Sequence, residues 1–330
     1  MSSSDLIEIV IASGKGGVGK STIAASLAII LRNSGYRVVA VDADAEAPNL
    51  HLVLGINRWD RILEHREGRI GFVRDDKCIY CGYCYDSCAF GAIEEKSGRY
   101  VINPWICEGC FTCSFVCPVK AISFKYNVLA GYIKIAYSTP YKFPLVSSEI
   151  KPGRPNSGKL VTEAKNLGRT ISSGKGVIIV DAAAGIGCQV IASLAGSHLA
   201  LLVAEPTPAS FSDLKRIHKL TKHFGIPSTL VVNKYDLNEK FVSEIIEYAR
   251  KENIELLGLL PYDDSVPKSM TMGKPVIYAY PNSDITKGIM EIANRLLTIV
   301  RNWKSWRLEH IPEKIEPFIP VIIKPRSWVR

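Results

Sequence analysis

The sequence predicts a doubly wound, mainly parallel α/β sheet that is interrupted by a small α+β insert. Strand-like apolar runs alternate with helix-like segments before residue 55 and again after about residue 160, which is the pattern of a parallel sheet covered by helices on both faces. Eight of the nine cysteines fall between residues 78 and 117, inside the gap in that alternation. A chain of 330 residues is long enough for one or two well-packed domains.

Composition and charge exclude several classes of protein. The sequence contains no stretch of about eighteen consecutive apolar residues. Its first apolar run leads into a glycine-rich loop rather than a cleavage site, so we expect a cytoplasmic protein without membrane insertion. The net charge is +9, of which +4 lies in residues 301–330. Because the remaining charge is spread thinly and no nucleic-acid-binding motif accompanies it, nucleic acid is not an expected partner.

A strand, a glycine-rich loop and a helix open the chain. Residues 7–12 form a buried strand-like run, and an apolar-periodic helix follows the loop. The pattern G-x-x-x-x-G-K-[ST], in which backbone N–H groups converge on phosphate oxygens, is satisfied by Gly14, Gly19, Lys20 and Ser21. In such a loop Lys20 neutralises the β- and γ-phosphates, and the Ser21 hydroxyl is the expected Mg²⁺ ligand. The sequence thus predicts a P-loop NTPase domain.

Carboxylates end two further predicted strands. Asp42 and Asp44 follow one strand-like run, and Asp181 follows another at residues 177–180. Since ligands bind at the carboxyl ends of the strands in doubly wound sheets, we expect Asp44 and Asp181 beside the phosphates. Asp42 is explained equally well as a simple strand-end carboxylate.

The cysteines form an internal repeat. The pattern C-x2-C-x2-C-x3-C occurs twice at an offset of 29 residues, and the same offset relates residues 92–93 to residues 121–122. At this spacing the backbone curls around one iron–sulfur cluster and supplies three thiolates to it, while the fourth cysteine ligates the other cluster of the pair. Zinc knuckles are the alternative, because C-x2-C pairs also bind zinc, although this many cysteines at such spacing would crowd a tetrahedral site.

Lys15 distinguishes this loop from the P-loops that lack a second lysine. With it the segment reads K-G-G-x-G-K-[ST] and resembles the deviant Walker A motif of the MinD/ParA/Mrp/nitrogenase-iron-protein family. The resemblance covers nearly all of residues 5–300 and implies an ATPase that closes as a homodimer around two ATP molecules, with Lys15 reaching the partner's phosphates. It also implies that Asp44 orients or activates the attacking water near Mg²⁺. The expected catalytic residues are Lys15, Lys20 and Asp44.

The same resemblance assigns the residues that bind ATP and Mg²⁺. Asp181 would hold a Mg²⁺-bound water, and the Gly185 amide would approach the γ-phosphate. Asn233 and the backbone of residues 261–263 would recognise adenine. Family members commonly carry prolines at positions matching residues 182–184, where this chain has alanines. The complete nucleotide-binding set is Gly14, Lys15, Gly16, Gly17, Val18, Gly19, Lys20, Ser21, Thr22, Asp181, Gly185, Asn233, Pro261 and Asp263, with Ser21 and Asp44 at the Mg²⁺ ion.

The cysteine repeat resembles a bacterial-type two-cluster ferredoxin. On that resemblance one [4Fe–4S] cluster takes Cys78, Cys81, Cys84 and Cys117, and the other takes Cys107, Cys110, Cys113 and Cys88. Pro118 follows the last cysteine as in that family, whereas Ala89 stands at the matching place in the first half. The whole chain looks like MinD-type ATPases with an inserted ferredoxin domain. We assign residues 1–56 and 141–310 to the ATPase domain, residues 57–140 to the insert with its flanks, and residues 311–330 to a Pro-rich basic tail.

These assignments imply an ATPase, slow without its partner, in which nucleotide-dependent dimer closure gates electron transfer through the clusters to a partner protein. An ATP-dependent cluster carrier or assembly scaffold of the Mrp type is the alternative, although no C-x2-C pair follows residue 117. A positioning ATPase that acts on membrane or DNA would leave the cysteines without a role.

Several features receive no chemistry. The prolines between residues 140 and 155 predict an irregular or edge strand, and residues 157–159 and 174–176 are interpreted as turns. Cys188 is expected to be a small buried residue at the start of a helix. His218 and His223 are expected on a solvated basic face, and the prolines after residue 311 forbid a long terminal helix.

Overall fold

The computed structural model describes residues 6–154 and 157–312. In chain order its strands are β1 (Leu6–Ser13), β2 (Val38–Ala43), β3 (Arg61–Val73), β4 (Ile93–Lys96), β5 (Arg99–Ile102), β6 (Ile122–Ala136), β7 (Leu145–Ile150), β8 (Gly176–Ala184), β9 (Leu199–Ala204), β10 (Ser228–Asn233) and β11 (Glu255–Leu260). Its helices are α1 (Lys20–Asn33), α2 (Leu50–Val53), α3 (Tyr83–Asp86), α4 (Thr112–Val116), α5 (Ser157–Ser172), α6 (Cys188–Leu194), α7 (Pro208–His223), α8 (Glu239–Lys251), α9 (Ser265–Thr271), α10 (Val276–Ala279), α11 (Asp284–Arg301) and α12 (Trp303–His310).

Nine strands form one sheet in the order β11-β10-β9-β1-β8-β2-β7-β6-β3. The strands from β11 to β7 are parallel to their neighbours, while β6 and β3 are added to one edge in antiparallel fashion. The chain moves to one side of β1 through β2 and to the other side through β9, so the order reverses at β1. This topology confirms the predicted doubly wound, mainly parallel α/β fold and places the loop after β1 at the switch point.

The central strands are buried on both faces because helices cover the sheet from two sides. Alternate residues of β1 belong to two different cores: Ile7, Ile9 and Ile11 pack with α1 and α11, and Val10 and Ala12 pack with α5 to α8. Eleven of the fourteen residues of α1 are buried. The strand that carries the phosphate loop is therefore held between two packed layers, which makes the loop a rigid platform.

The insert is attached through a long two-stranded ribbon. β3 and β6 pair along almost their whole lengths, but only residues 131–136 of β6 also pair with β7. The other ends of both strands extend beyond the sheet and lead into residues 74–121, which contain α3, α4 and the separate β4-β5 hairpin. The flanks that we included in the 57–140 insert thus contain strands of the main sheet, because backbone pairing with β7 continues the sheet into β6.

Four expectations about minor features are corrected. β7 lies between β2 and β6 rather than at an edge, and Ser157 begins α5 instead of lying in a turn. Cys188 does begin a helix, but its side chain is exposed because it stands at the outer end of α6. His218 is only 4% exposed, since α7 turns it toward α8. The tail beyond residue 312 lies outside the described residues.

Candidate functional site

The phosphate loop connects the carboxyl end of β1 to α1. Gly19 is the residue before α1 and has φ +96°, a left-handed conformation that favours glycine. A Cβ atom on Gly19 would lie 2.6 Å from the Nδ2 atom of Asn233. Backbone conformation and close packing therefore both require glycine where the helix begins, and they leave the first N–H groups of α1 open toward an anion.

Lys20 is buried beneath this loop. Its side chain donates a hydrogen bond to the Ser13 Oγ atom at 2.9 Å, and the Ser13 hydroxyl donates to the Lys15 carbonyl at 2.6 Å. Burial lowers the pKa of Lys20, while Asp181 and Asp44 act in the opposite direction. The ammonium group thus faces two carboxylates across the site, which is the electrostatic arrangement that a bound Mg²⁺–phosphate complex would complete.

The two aspartates after β2 have different surroundings. The Asp42 carboxylate is fully buried and accepts hydrogen bonds from the backbone N–H of Leu50 at 2.9 Å and of Asp44 at 3.3 Å. Burial and the nearby Asp181 raise the pKa of Asp42 well above its usual range. Asp44 lines the nucleotide cavity and accepts the Ala47 N–H at 3.2 Å. Asp42 therefore shapes the loop, and Asp44 faces the cavity.

A magnesium ion fits the donors around Asp181. The Asp181 Oδ1 atom is buried without a hydrogen-bond partner, which is rare for a carboxylate oxygen. Burial raises the pKa of Asp181 to about 6, although the Ser21 hydroxyl and Lys20 lower it. Oxygen ligands of this kind suit Mg²⁺. Ser21, Asp44 and Asp181 would hold the ion and its waters, and the ion would neutralise phosphate charge there.

The nucleotide cavity has a volume of about 360 Å³. Most of the predicted binding residues line it, namely Gly16, Gly17, Gly19, Lys20, Ser21, Thr22, Asp44, Asn233, Pro261 and Asp263. Gly14, Lys15, Val18, Asp181 and Gly185 are not part of its wall. Val18 is fully buried, and the Gly185 N–H, which we expected near the γ-phosphate, donates to the Ser13 carbonyl at 3.0 Å.

The end of the cavity at which we expected adenine is more apolar than the sequence suggested. Asn233 lines this cavity, but its Nδ2 atom donates to the Val18 carbonyl at 2.8 Å and its Oδ1 atom accepts the Lys234 N–H at 3.0 Å. The amide therefore braces the phosphate loop in this structure. Apolar side chains that the sequence analysis missed complete the wall, namely Val53, Val266, Met270, Ile285 and Ile289. Their helical periodicity was the available signal, but it indicates a core equally well.

Lys15 pairs with the glutamate that follows β9. The Lys15 ammonium lies 3.5 Å from a carboxylate oxygen of Glu205, whose other oxygen pairs with Lys234. The Lys15 side chain is 44% exposed, whereas that of Glu205 is 8% exposed. Glu205 directly follows β9, and its role was not predicted from the sequence. The pair therefore lies within a single chain and draws Lys15 toward the end of β9.

The cysteine insert repeats its backbone as well as its sequence. Positive φ angles recur at the 29-residue offset in the pairs Tyr80 and Gly109, Gly82 and Phe111, and Gly91 and Lys120. Helices α3 and α4 begin at the same offset, and the matching Ala92 and Ala121 N–H groups donate to the sulfurs of Cys88 and Cys117 at 3.3 and 3.2 Å. Two equivalent thiol-bearing loops therefore face each other across a small shared core.

The eight thiols divide into two sets around separate cavities. One cavity is lined by Cys78, Cys81, Cys84 and Cys117, and the other by Cys88, Cys107, Cys110 and Cys113. Burial raises the pKa of the Cys113 thiol to about 11, and the nearby Cys107 and Cys110 thiols also raise it. Within the described residues, no group of three or more His, Cys, Asp or Glu side chains could hold a single metal ion. Four thiols and sulfur-directed N–H groups in each set fit the donor requirements of a [4Fe–4S] cluster.

Comparisons with known proteins agree with the nucleotide site. Residues 9–276 match the CobQ/CobB/MinD/ParA nucleotide binding domain. An uncharacterized protein of Methanocaldococcus jannaschii is 34% identical over 297 residues, which cover 88% of this chain and 96% of the relative. An iron–sulfur cluster carrier protein of Pyrococcus abyssi is 24% identical, covering 90% of this chain and 88% of the relative.

Solved structures agree on the fold. The cell division ATPase MinD of Pyrococcus furiosus superposes with a TM-score of 0.55 at 19% identity, covering 89% of this chain and 99% of that chain. Among the helices that the structure describes, none is long and apolar enough to cross a membrane. The match over residues 9–276, together with the phosphate loop and its carboxylates, shows that this chain belongs to the CobQ/CobB/MinD/ParA family of nucleotide-binding domains.

Proposed function

We propose that this P-loop ATPase uses nucleotide-dependent dimer closure to gate electron transfer through two [4Fe–4S] clusters to a partner protein. The observation that carries the proposal is the division of the eight cysteines into two sets of four around separate cavities. Each set combines three cysteines of one repeat with the fourth cysteine of the other. Such ligation would tie the halves together and favour retention of the clusters.

The ATPase half of the proposal assigns each polar group one task. Lys20 neutralises the β- and γ-phosphates, and Ser21 with Asp181 and Asp44 holds Mg²⁺ and its waters. Asp44 orients the attacking water. Lys15 leaves Glu205 and reaches the partner subunit's nucleotide, where its positive charge stabilises the charge that develops on the transferred phosphoryl group. Hydrolysis without a second subunit would then be slow.

Backbone contacts connect the Asp44 loop to the insert. The Ile150 N–H donates to the Ala45 carbonyl at 2.8 Å, and the Ser148 hydroxyl donates to the Asp42 carbonyl at 2.9 Å. Ser148 and Ile150 belong to β7, which pairs with β6. Because β6 begins five residues after Cys117, a shift of the loop next to the γ-phosphate would reach the cysteine set that contains Cys117 through β7 and β6.

The clusters would supply one-electron transfer at low potential, and the protein would tune that potential. The N–H groups of Ala92 and Ala121 donate to cysteine sulfurs, and such hydrogen bonds stabilise the reduced, more negative cluster. Cys84 and Cys113 are buried, whereas Cys81 and Cys110 are exposed. The exposed cysteines mark the sides from which a redox partner could approach.

Anaerobic electron transfer tests the proposal. Reconstituted protein with all eight iron atoms would be reduced and mixed with an oxidised viologen dye in the presence of ATP, ADP or no nucleotide, and the rate followed by stopped-flow absorbance. We expect the electron-transfer rate or the cluster potentials to change when ATP binds. The Asp44→Asn variant, which should hydrolyse ATP slowly, should keep the rate and potentials of the ATP-bound state. Equal rates and potentials in all three nucleotide states would contradict gating.

Cluster delivery is the second candidate, because cluster carrier proteins of Aquifex aeolicus and Pyrococcus abyssi are 23% and 24% identical to this chain. Reconstituted protein would be incubated with an apo-ferredoxin, and its iron content followed with and without ATP. ATP-stimulated loss of iron to the acceptor would favour delivery. Retention of all clusters would favour electron transfer.

A further inference from the structure

A fourth cavity lies between the cysteine insert and the ATPase sheet. Its volume is about 410 Å³, which is within the range of small-molecule sites. Four parts of the chain meet there: Arg66 and Arg69 come from β3, residues 127, 128 and 130 from β6, Arg154 and Lys159 from either side of the start of α5, and Cys107 and Glu108 from the insert. None of these side chains, apart from the cysteine, has a role in the proposed ATPase or cluster chemistry.

The cavity wall has more cations than anions. Arg66, Arg69, Arg154 and Lys159 line it together with two carboxylates, Glu67 and Glu108. One cation, Lys159, pairs with Glu67 at 3.2 Å. Arg66 pairs with Glu64 through its Nε atom at 2.8 Å. The balance of charge in the wall remains positive, so an anionic ligand would be attracted.

Two of the arginines are held in place by the insert. Arg69 donates to the Gly109 carbonyl at 2.8 Å and stacks 4.0 Å from the ring centre of Phe111. Arg154 donates through Nη1 to the Pro104 carbonyl at 3.0 Å, while its Nε atom is buried without a hydrogen-bond partner. A buried guanidinium N–H without a partner is costly unless a ligand or water satisfies it. A guanidinium group that is already positioned binds carboxylate or phosphate oxygens in pairs.

We propose that this cavity binds a small oxyanion, a carboxylate or a phosphate, beside the cluster that Cys107 would help to hold. The binding claim stands on the cavity alone, whereas its effect on the cluster rests on the proposed function. Because both the ligand and the reduced cluster carry negative charge, anion binding lowers the potential of that cluster. By linkage, reduction weakens anion binding by the same factor.

Helix α5, which carries Lys159 of the cavity wall, is packed against α6. A Cβ atom on Gly158 would lie 3.0 Å from the Cys188 carbonyl, so the first turn of α5 touches the first residue of α6. The buried Lys165 ammonium then donates to the Ala192 and Ala195 carbonyls at 3.1 and 2.9 Å. Since α5 and α6 are clamped together, movement of the loop before α6 would shift Lys159 and change the shape of the anion cavity.

Calorimetry on the reconstituted full-length protein tests the binding claim. The phosphate loop is first saturated with Mg²⁺ and ADP, because it would otherwise bind phosphate itself. Pyrophosphate and citrate are then titrated at constant ionic strength set with chloride. We expect at least one of them to bind at one site per chain, with Arg154→Gln and Arg66→Gln each weakening binding about tenfold or more, as expected for loss of one charge-assisted contact. Arg99→Gln, which removes an exposed arginine that pairs with Asp75, should bind as the parent does.

Three results would overturn the site. The first is that neither anion binds, the second is that both cavity variants bind the anion as tightly as the parent does, and the third is that chloride titrated alone gives the same binding signal as the anions. The potential of each cluster, followed by EPR-monitored titration with and without the anion, tests the coupling separately. A lower potential for one cluster supports it. If the anion binds but neither cluster potential shifts, the site is retained and the coupling is rejected. If the anion binds but the electron-transfer rate does not depend on nucleotide, only the proposed function is rejected.

Discussion

Replacing Glu205 by glutamine should tighten ATP-dependent dimerisation. In the single subunit Lys15 is paired with Glu205 at 3.5 Å, and on the proposed function this pair must break before Lys15 reaches the partner's nucleotide. Glutamine keeps the shape of the side chain but removes its charge. Lys15 is then released in advance, so closure no longer has to separate the two charges.

The size of the effect follows from the exposure of the pair. Lys15 is 44% exposed, and ion pairs exposed to solvent contribute about 0.2–1 kcal/mol each. A symmetric dimer breaks two such pairs, so the substitution should favour the dimer by about 0.4–2 kcal/mol, which corresponds to an approximately 2- to 30-fold lower dissociation constant. The effect should shrink as salt is added, because salt screens exposed charges.

Sedimentation velocity with ATP measures the dissociation constant of the dimer. Both the parent and the Glu205→Gln variant would carry Asp44→Asn to slow hydrolysis. Asp213→Asn is the matched control, because it also removes a carboxylate near the phosphate loop, yet its partner is Arg216 on the same helix. A weaker dimer in the Glu205 variant, or an equal gain in the Asp213 variant, would refute the reasoning.

Three further predictions concern the clusters, the metal site and acid stability. Cys117→Ser should damage the cluster built on Cys78 and spare the other, seen as loss of one EPR signal and about half of the iron; selective loss of the other cluster would reject the pairing. Asp181→Asn removes a buried charge, so the ligand-free protein should unfold at higher urea concentration at pH 7.5, while stabilisation by Mg²⁺–ATP should be lost; retained stabilisation would exclude Asp181 from the metal site. Burial lowers the pKa of His218 to about 4, whereas an unfolded histidine has a pKa of about 6.5. Below that pH the unfolded chain binds a proton that the folded chain does not, so the free energy of unfolding should fall by about 3 kcal/mol between a pH of about 6.5 and a pH of about 4. His218→Gln should remove that part of the slope in urea titrations, and an unchanged slope would show that His218 does not cause it.

The sequence predicted most of the fold and the phosphate end of the site. The loop from Gly14 to Lys20 was recognisable because a P-loop is continuous in the chain and its local backbone conformation requires glycines. The apolar end of the cavity, at which we expected adenine, was harder to predict. Met270 and Ile289 come from helices that lie far along the chain, and their apolar periodicity looks like that of any packed helix. The amide of Asn233 was predicted as a base contact, and in the structure it braces Val18.

The extent of the insert also depended on tertiary contacts. Proline content suggested an irregular or edge strand near residue 145, but β7 is paired on both sides because β6 continues the sheet past it. His218 looked solvated among basic neighbours, yet its Nδ1 atom lies 2.8 Å from the Tyr248 hydroxyl on α8. Neither contact has a local signal, since the interacting residues belong to different elements.

By itself the sequence determined the chemistry whose parts are close along the chain: the phosphate loop, and two cysteine repeats at a constant 29-residue offset. Spacing suffices there because the phosphate loop, and three of the four cysteines in each set, come from short continuous segments. Only the tertiary structure decided that Glu205 holds Lys15 and that arginines from β3 and the α5 segment meet beside Cys107. Such groups lie tens to hundreds of residues apart, and their meeting depends on which strands pair and which helices pack. Pairing and packing are properties of the whole sheet, so no short stretch of sequence contains them.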